Sequence, residues 1–335
     1  MTAFEIRAAS VADEDQLLAV ARHLNTVNLP HERGAIREIL ALSERSFTGV
    51  IPENRREYVF VLRDLAEDRV IGTSMIISQL GRRGAPYIYF DVLEEEKYSA
   101  TLDKHFRHTA LRIGYSYDGP TEIGGLILLP EYRRVPERLG QLLSYVRFLY
   151  IAAHRPLFRD EVLAELLPPL EADGRSHLWE ALGRHFTGLS YAEADVLSKQ
   201  NKEFIKQLFP DAQVYASVLS REAQEVIGKV GAQTKGVERL LRRIGFRYAH
   251  RVDPFDGGPH FTAATEEITL VQRTKRRPLV GVGAPTSRAI VAVEMPTSPY
   301  FRAVLGRAEK GVIDAETAAH LGVSVGDEIL TLKVD

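Results

Sequence analysis

The feature that most constrains the fold is an apolar run that ends at a proline and is followed, after a basic loop, by a helical pattern. Residues 126–129 are apolar, Pro130 ends the run, and the loop behind it carries Arg133, Arg134 and Arg138. Beyond the loop, apolar residues recur at helical spacing, at Leu139, Leu142, Leu143, Val146, Leu149, Tyr150 and Ala153. The order predicts a strand, a basic loop and a helix that packs its apolar face on a sheet.

The N-terminus of this predicted helix is a candidate anion site. Unpaired backbone N–H groups and the positive end of the helix dipole both favour negative charge there. With three arginines beside it, a diphosphate is one candidate ligand. An ordinary strand-to-helix turn with solvated arginines fits the spacing equally well.

Composition excludes several classes of protein. The chain has 335 residues, which favours one large domain with additions or two domains. The formal net charge of -2 gives no reason to expect nucleic acid or an anionic membrane as a partner. There is no cysteine, which excludes thiol nucleophiles, disulfides and thiolate metal sites. No apolar run approaches the ~20 residues that span a bilayer, and no signal-peptide core is present, so a cytoplasmic location is expected.

The first half of the chain alternates strand and helix patterns. We predict a strand from Phe4, a helix from Ser10, a second helix over residues 36–47, a hairpin of residues 58–63 and 70–77, and a strand over residues 86–92. Residues 93–119 show a mixed pattern, and the charged run 94–97 indicates a solvated surface. Gly124 and Gly125 inside the strand before Pro130 indicate a bulge or a close backbone approach.

The second half begins with helical patterns and ends with strand patterns. Residues 156–210 read as helical, residues 214–219 as a strand, and a helix capped by Thr234 ends at Gly245. After residue 265, strands are predicted over residues 268–272, 289–294 and 301–306. Residues 311–330 then predict a strand, a short helix, a Gly-Asp turn and a closing strand.

The loop and helix of residues 132–149 resemble the acyl-CoA site of the GNAT acyltransferases, and one family in particular, arginine N-succinyltransferase. Residues 173–186 and 204–210 are similar to a helical insertion of that family, and residues 223–230 and 253–259 extend the match. The resemblance implies an α+β GNAT fold, a mixed twisted sheet with flanking helices. It places this domain over residues 1–265, with the insertion at about 156–210, and leaves a small β subdomain over residues 266–335.

The resemblance also implies an acyl-CoA site. Leu126 and Leu128 would contact the acyl-CoA through their backbones, although both leucines can equally be core residues. The diphosphate would lie against Arg133, Arg134, Arg138 and Gly140. Most GNAT enzymes carry Arg-x-x-Gly-x-Gly here, whereas this loop is about two residues longer and keeps only the final glycine. Either the arginines replace the lost backbone donors or the site binds CoA weakly.

The proton-transfer position departs from the resembled family. That family has His-Pro-Gln-Thr where this chain has Gly231-Ala-Gln-Thr, so another group must accept the amine's proton. Glu122 matches a glutamate of the family and is the candidate base, with a solvated strand end as the alternative reading. Tyr215 and Tyr248 are candidate acids toward the leaving sulfur. Because the chain has no cysteine, direct attack of the amine on the thioester is expected.

Acceptor contacts are predicted in three places. The loop after the first helix usually borders the acceptor in this fold, so Asn25, Thr26 and Asn28 are candidates, although Asn and Thr also form turns. His260 is a further substrate candidate and a weaker substitute for the missing histidine. A guanidinium would need carboxylates, and the candidates for these are Asp91, Asp195, Asp253 and Asp256.

The expected function is transfer of succinyl from succinyl-CoA, or of another acyl group from its CoA thioester, to the α-amine of arginine. The first alternative is a GNAT acyltransferase with a different donor or amine. The second is a non-catalytic acyl-CoA-binding protein. No metal is expected, and the resemblance implies a homo- or hetero-oligomer.

Overall fold

The strand, basic loop and helix predicted around Pro130 are present in the computed structural model. The strand is Thr121–Leu128 and the helix is Leu139–Ala153. The structure describes residues 3–23, 29–82, 85–171 and 174–334. No helix within those ranges has both the length and the apolar character that crossing a bilayer requires.

The strands in chain order are β1 (Phe4–Ala8), β2 (Glu57–Asp64), β3 (Arg69–Ile77), β4 (Tyr87–Ser99), β5 (Lys104–Ser116), β6 (Thr121–Leu128), β7 (Glu161–Glu165), β8 (Val214–Tyr215), β9 (Arg247–Val252), β10 (Pro259–Ala264), β11 (Lys275–Pro278), β12 (Gly281–Gly283), β13 (Arg288–Glu294), β14 (Phe301–Glu309), β15 (Val312–Asp314) and β16 (Glu328–Lys333). The helices are α1 (Glu14–Ala21), α2 (Arg33–Phe47), α3 (Leu139–Ala153), α4 (Arg184–Thr187), α5 (Tyr191–Gln200), α6 (Glu203–Leu208), α7 (Arg221–Val226), α8 (Lys235–Arg243), α9 (Thr269–Arg273) and α10 (Ala315–Leu321). A π-helical turn, Trp179–Gly183, leads into α4.

The chain divides into two units. The first unit comprises Met1–Gln79, Thr121–Asp160 and Ala264–Asp335. Its main sheet has the order β11-β16-β13-β14-β1-β2-β3-β6, with every neighbouring pair antiparallel. Because β14 pairs with β1, the C-terminal strands extend the sheet that the N-terminal strands begin. Whether residues 266–335 fold as a subdomain of their own stays a prediction.

An aromatic cluster fills the core of the first unit between α2, α3 and the sheet. The Phe60 and Phe301 ring centroids lie 5.4 Å apart, and Tyr150 of α3 lies 5.5 Å from Phe301 in an edge-to-face arrangement. Phe47 of α2 contacts the Tyr58 ring at 5.0 Å. Such edge-to-face pairs add to the free energy gained by burying the rings. They hold α3 against the sheet and thereby fix where its N-terminus lies.

The second unit comprises Leu80–Pro120 and Glu161–Ala263, with the strand order β7-β10-β9-β4-β5-β8. Its core forms around Trp179, whose ring stacks on Phe255 with centroids 5.0 Å apart and planes 5° apart. Indole Nε1 of Trp179 donates to the Leu189 carbonyl at 2.9 Å. The ring is fully buried and its polar atom is satisfied, which makes it an anchor for the helices α4 to α6.

Three local predictions are wrong. Residues 268–272 were predicted as a strand, but residues 269–272 lie in the helix α9; Leu270 and Val271 are adjacent buried residues that fit either period. Residues 214–219 were also predicted as a strand, but only Val214–Tyr215 form β8, and Ala216–Val218 form a 3-10 helix. Residues 156–210, predicted as helical throughout, contain β7, whose three central residues are buried in succession. A run buried on both faces shows no alternation, so its period does not separate strand from helix.

Candidate active site

The bulge predicted at the glycine pair is present in β6 of the first unit. Thr73 of β3 pairs with Ile127, and Met75 pairs with Gly124, so a single residue of β3 faces both Gly125 and Leu126. Gly125 has a φ of +55°, and a Cβ there would lie 2.7 Å from Sδ of Met75. Glycine is therefore required at residue 125, and the local ladder is interrupted where the acyl-CoA contacts are predicted.

The helix α3 begins with a residue in a left-handed conformation. Arg138 is its N-cap, with φ 56° and ψ 47°, and its side chain makes no capping hydrogen bond. The backbone N–H groups of Leu139 and Gly140, at the start of the helix, have no intrahelical acceptor by helical geometry. A Cβ on Gly140 would meet Leu128 Cδ2 at 3.7 Å, an ordinary contact. The protein's own packing thus does not require glycine at residue 140, and the missing side chain leaves room beside the N-terminus of α3.

The three loop arginines differ in their contacts. Nε of Arg133 donates to the Leu128 carbonyl at 2.9 Å and ties the loop to the end of β6. Arg134 and Arg138 are exposed. Leu128 is buried and Leu126 is half-buried. The structure therefore brings Arg133 and Leu128 together and leaves the other two arginines available to a solvent-borne anion.

Glu122 lies near the start of β6, opposite Ile77 of β3, and is 5 % exposed. The alternative reading of this residue as a solvated strand end is therefore wrong. A buried carboxylate is a stronger candidate for a functional role than an exposed one, because its burial needs compensation. Its assignment as the base stays a prediction.

The candidate acids Tyr248 and Tyr215 lie in the second unit and are not neighbours. Tyr248 is half-buried on β9, and burial raises the pKa of its phenol to about 12. Tyr215, on β8, donates from its hydroxyl to Oε2 of Glu95 at 2.5 Å. Since β4 and β5 lie between β9 and β8, the spacing of strands puts the two tyrosines on the order of 14 Å apart. The proton of the Tyr215 hydroxyl is already used in the hydrogen bond to Glu95.

His260 is fully buried on β10. Its Nδ1 lies 2.7 Å from the hydroxyl of Tyr87, and its Nε2 lies 3.4 Å from Oε1 of Glu165 without forming a hydrogen bond to a described residue. Burial lowers the pKa of the imidazole to about 3. The ring is therefore neutral at neutral pH and unsuited to accept the amine's proton, which weakens its reading as a substitute for the missing histidine.

Carboxylates gather beside His260. Oδ1 of Asp253 accepts from the backbone N–H groups of Phe255 at 2.7 Å and Asp256 at 3.2 Å. Burial raises the pKa of Asp253 to about 6, and burial together with the charge of Asp253 raises the pKa of Asp256. Ligand atoms of Glu165, Asp253 and His260 all lie within 4.8 Å of one another. This trio could hold a cation. Glu165 was not among the predicted site residues; its signal in the sequence is an acidic residue directly after the apolar residues 162–164.

Gly231, where the resemblance predicts a histidine in the related enzymes, is enclosed by backbone. A Cβ there would lie 2.7 Å from the Pro168 carbonyl oxygen and 2.9 Å from that of Leu167. The residue therefore has no room for a side chain in this fold. Asn25, Thr26 and Asn28, the other predicted acceptor contacts, lie outside the described residues.

The chain is similar to known proteins over most of its length. Residues 4–270 match the family model of the arginine N-succinyltransferase beta subunit. The chain is 32% identical over 332 residues to arginine N-succinyltransferase subunit beta of Pseudomonas aeruginosa, covering 97% of this chain and 96% of that one. It is 31% identical over 324 residues to arginine N-succinyltransferase of Yersinia pestis, covering 93% of this chain and 92% of that one.

A solved structure is similar over the whole length. Arginine/ornithine succinyltransferase subunit AI from Pseudomonas aeruginosa superposes with a TM-score of 0.84 at 26% identity, covering 100% of both chains. This likeness confirms the predicted fold class. Both the sequence match and the structural match extend over nearly the full chain, so the chain belongs to the arginine N-succinyltransferase family.

Proposed function

We propose that this chain transfers the succinyl group of succinyl-CoA to the α-amine of arginine. The observation that carries the proposal is the arrangement of β6 and α3. A bulged strand ends at Leu128, and a helix N-terminus with unpaired N–H groups follows a loop of exposed arginines. An acyl-CoA has an extended arm that can lie along a strand edge and a diphosphate that suits a helix N-terminus. The names of the relatives supply the succinyl donor and the arginine acceptor.

The predicted acyl-CoA contacts are part of this proposal. The backbones of Leu126 and Leu128 would contact the pantetheine arm beside the bulge. Arg133, Arg134 and Arg138 would surround the diphosphate, and Gly140 would let it approach the helix. A guanidinium offers planar donors that match phosphate oxygens, and exposed cations also raise the local concentration of an anionic substrate.

The reaction needs one proton removed and one supplied. In the proposal Glu122 takes the proton of the amine, the amine nitrogen forms a bond to the thioester carbon, and the carbon–sulfur bond breaks. Tyr248 protonates the departing CoA thiolate, since its raised pKa keeps the phenol protonated at working pH. Tyr215 is the weaker candidate for this role because of its hydrogen bond to Glu95.

The acceptor's guanidinium needs a carboxylate that the protein has not already neutralised. Asp91 accepts from Arg112 at 3.3 Å and from Arg251 at 3.2 Å, so its charge is compensated within the fold. Asp253 and Glu165 form the cation-compatible group with His260. We therefore favour Asp253 over Asp91 as a partner of a basic acceptor.

The location and assembly of the protein belong to the same proposal. A cytoplasmic location suits a chain without cysteine. A homo- or hetero-oligomer is expected because two of the related proteins are named as subunits. Light scattering on the purified chain, alone and with candidate partner chains, measures the oligomeric state.

A second candidate function keeps the fold and changes the substrates. The loop lacks one glycine of the usual diphosphate pattern, and Gly231 replaces the family's histidine. These two differences from the family pattern favour an acyltransferase that uses a different acyl donor or amine acceptor. They equally favour a protein that binds acyl-CoA without catalysing transfer.

Release of free CoA from purified protein tests these readings. Turnover with succinyl-CoA and arginine supports the proposal, and turnover only with other amines or donors supports the second candidate. Thermal stabilisation by acyl-CoA, with no CoA released from any pair, identifies a binding protein. Chelator-treated protein should release CoA at an unchanged rate, because none of the proposed steps uses a metal.

A further inference from the structure

One buried charge in the first unit is not explained by the fold. Arg147 lies on α3, two turns after Gly140, and is 2 % exposed. Burial lowers the pKa of its guanidinium to about 9, so the group is still charged at neutral pH. A buried arginine normally has a carboxylate partner, because the free energy lost on removing a charge from water is otherwise uncompensated.

The contacts of Arg147 are few and all neutral. Its Nε donates to the Ser144 carbonyl at 3.1 Å, and its Nη2 donates to Oγ of Ser144 at 2.8 Å. Its Nη1 makes a long contact of 3.4 Å with the Gly124 carbonyl. A guanidinium has five N–H donors, so at least two remain unused, and no carboxylate of a described residue forms an ion pair with Arg147.

Two half-buried arginines of the same unit do have such partners. Arg302 donates to Oε2 of Glu5 at 2.6 Å. Arg7 donates to Oδ2 of Asp13 at 2.7 Å. The fold pairs these two charges, whereas Arg147, which is more deeply buried, has no carboxylate partner among the described residues.

That position adjoins the bulge of β6. Nη1 of Arg147 contacts the carbonyl of Gly124. The next two residues, Gly125 and Leu126, form the bulge, because a single residue of β3 lies opposite both of them. The proposed function puts the pantetheine arm along this strand, so the acyl group lies beside the bulge. A succinyl group differs from acetyl by a chain that ends in a carboxylate, which is the anion that a buried arginine lacks.

We propose that Arg147 binds the terminal carboxylate of the succinyl group and so selects a dicarboxylic acyl donor. The inference rests on the proposed function, because it uses the acyl-CoA position along β6. The two hydrogen bonds to Ser144 hold the guanidinium in place before the donor arrives, and the long contact to Gly124 is lost at little cost when a carboxylate takes its place. A bidentate pair of this kind in a buried site gives strong discrimination against neutral acyl groups.

The signal in the sequence was a charged residue within an apolar helix. Arg147 stands between Val146 and Phe148, both of which are buried. A helix that is apolar on all sides usually excludes an arginine unless the residue has a partner. The partner here is a ligand, which the sequence does not contain.

The first test uses the wild-type protein and two donors of equal shape. Succinyl-CoA is compared with its neutral terminal monoamide, in CoA release with arginine and in thermal stabilisation of the protein. We expect the monoamide to be the poorer donor by about 100-fold or more in kcat/KM, because it leaves the buried charge unpaired. Equal use of the two donors would overturn the inference.

The second test uses substitutions of the arginine. Arg147→Met removes the charge and keeps the volume, so succinyl-CoA should lose its advantage while acetyl-CoA and the monoamide are used as well as before or better. Arg147→Lys should keep part of the preference for succinyl-CoA. Arg302→Met is the matched control, since it removes a carboxylate-paired arginine and should leave the ratio between donors unchanged. If folded Arg147→Met lost the same fraction of its activity with every donor, Arg147 would be a structural residue, which would contradict the inference.

The outcomes separate this inference from the proposed function. Turnover without preference between succinyl-CoA and its monoamide rejects the inference and keeps the acyltransferase. Absence of turnover, with stabilisation by succinyl-CoA but not by the monoamide, rejects the proposed reaction and keeps the role of Arg147. The wild-type comparison decides the matter even if Arg147→Met does not fold.

Discussion

The backbone N–H of Gly231 donates a hydrogen bond to the carbonyl of Leu167 at 2.9 Å. The same carbonyl accepts from Oγ1 of Thr234 at 3.0 Å. A side chain on Gly231 would have to enter the space that the carbonyl oxygens of Leu167 and Pro168 occupy. The histidine of the resembled family therefore cannot be restored here by a single substitution, because the backbone of residues 167 and 168 would first have to move.

Substitution Gly231→His should destabilise the protein without a gain in turnover. We expect a loss of about 1–3 kcal/mol in the free energy of unfolding, the usual cost of overpacking. Urea denaturation and CoA release measure the two quantities. Gly236→His is the matched control, because no atom lies within 4 Å of a Cβ there. A stable Gly231→His variant with faster turnover would contradict this reading of the site.

Glu122→Gln should slow CoA release by about 100-fold or more, because a general base contributes 10²–10⁴ to the rate. The substitution keeps the size of the side chain and removes its ability to accept the proton. Glu131→Gln, at an exposed glutamate a few residues further along the chain, should have little effect. Single-turnover kinetics at saturating substrates measure the change. A Glu122→Gln protein of unaltered rate would remove Glu122 from the mechanism.

The two tyrosines should respond differently to loss of their hydroxyl groups. Tyr248→Phe should lower kcat by about 10-fold or more if the phenol protonates the thiolate. Tyr215→Phe should mainly lower stability, because its hydroxyl is hydrogen-bonded to Glu95. Comparing kcat and the melting temperature of both variants tests this. A larger loss of kcat in Tyr215→Phe than in Tyr248→Phe would reverse the assignment.

Local patterns were sufficient to predict the frame of the site. The signals for β6 and α3 are local in sequence: an apolar run, Pro130 at its end, and helical spacing after residue 139. Each depends on only a few neighbouring residues, so both elements were predictable. The glycine pair indicated the bulge, since only glycine adopts the conformation at Gly125 without strain. The turn and short helix of residues 311–330 were predictable for the same reason.

Features that depend on distant partners were not predictable. The hairpin of β4 and β5 was missed because its outer half is exposed and charged, and its stabilising pairs lie across the strands, as between Glu96 and Arg107 at 2.9 Å. Glu165 and His260 are 95 positions apart in number and meet only in the fold. The unpaired state of Arg147 likewise emerges from what surrounds it in three dimensions.

Arg138 offers a test that separates charge from conformation. Its left-handed conformation costs a residue with a side chain about 1 kcal/mol or more. Arg138→Gly should therefore be more stable than Arg138→Ala, and both should raise the KM for acyl-CoA, because both lose the cation beside the diphosphate. The increase should shrink at high salt, where the attraction is screened. An unchanged KM in both variants would exclude Arg138 from the acyl-CoA site.

Asp253 and His260 make the stability of the second unit depend on pH in opposite directions. The pKa of Asp253 is about 6 in the folded protein and 3.8 ordinarily. Its stabilising contribution is therefore complete below pH 3.8 and is lost as the pH rises through 6. The pKa of His260 is lowered from 6.5 to about 3. Its contribution is complete above pH 6.5 and is lost as the pH falls toward 3.

Asp253→Asn tests the first of these effects. The amide oxygen can still accept from the backbone N–H groups of Phe255 and Asp256, while the buried charge is absent at every pH. We expect the free energy of unfolding of the variant, relative to wild type, to rise as the pH increases from about 4 to about 6. Urea denaturation at pH 4, 5, 6 and 7.5 measures this difference, in which the contribution of His260 cancels. Asp211→Asn, at an exposed carboxylate, is the control and should give a difference independent of pH. If the two variants behaved alike, Asp253 would not carry the buried charge that the proposed acceptor site requires.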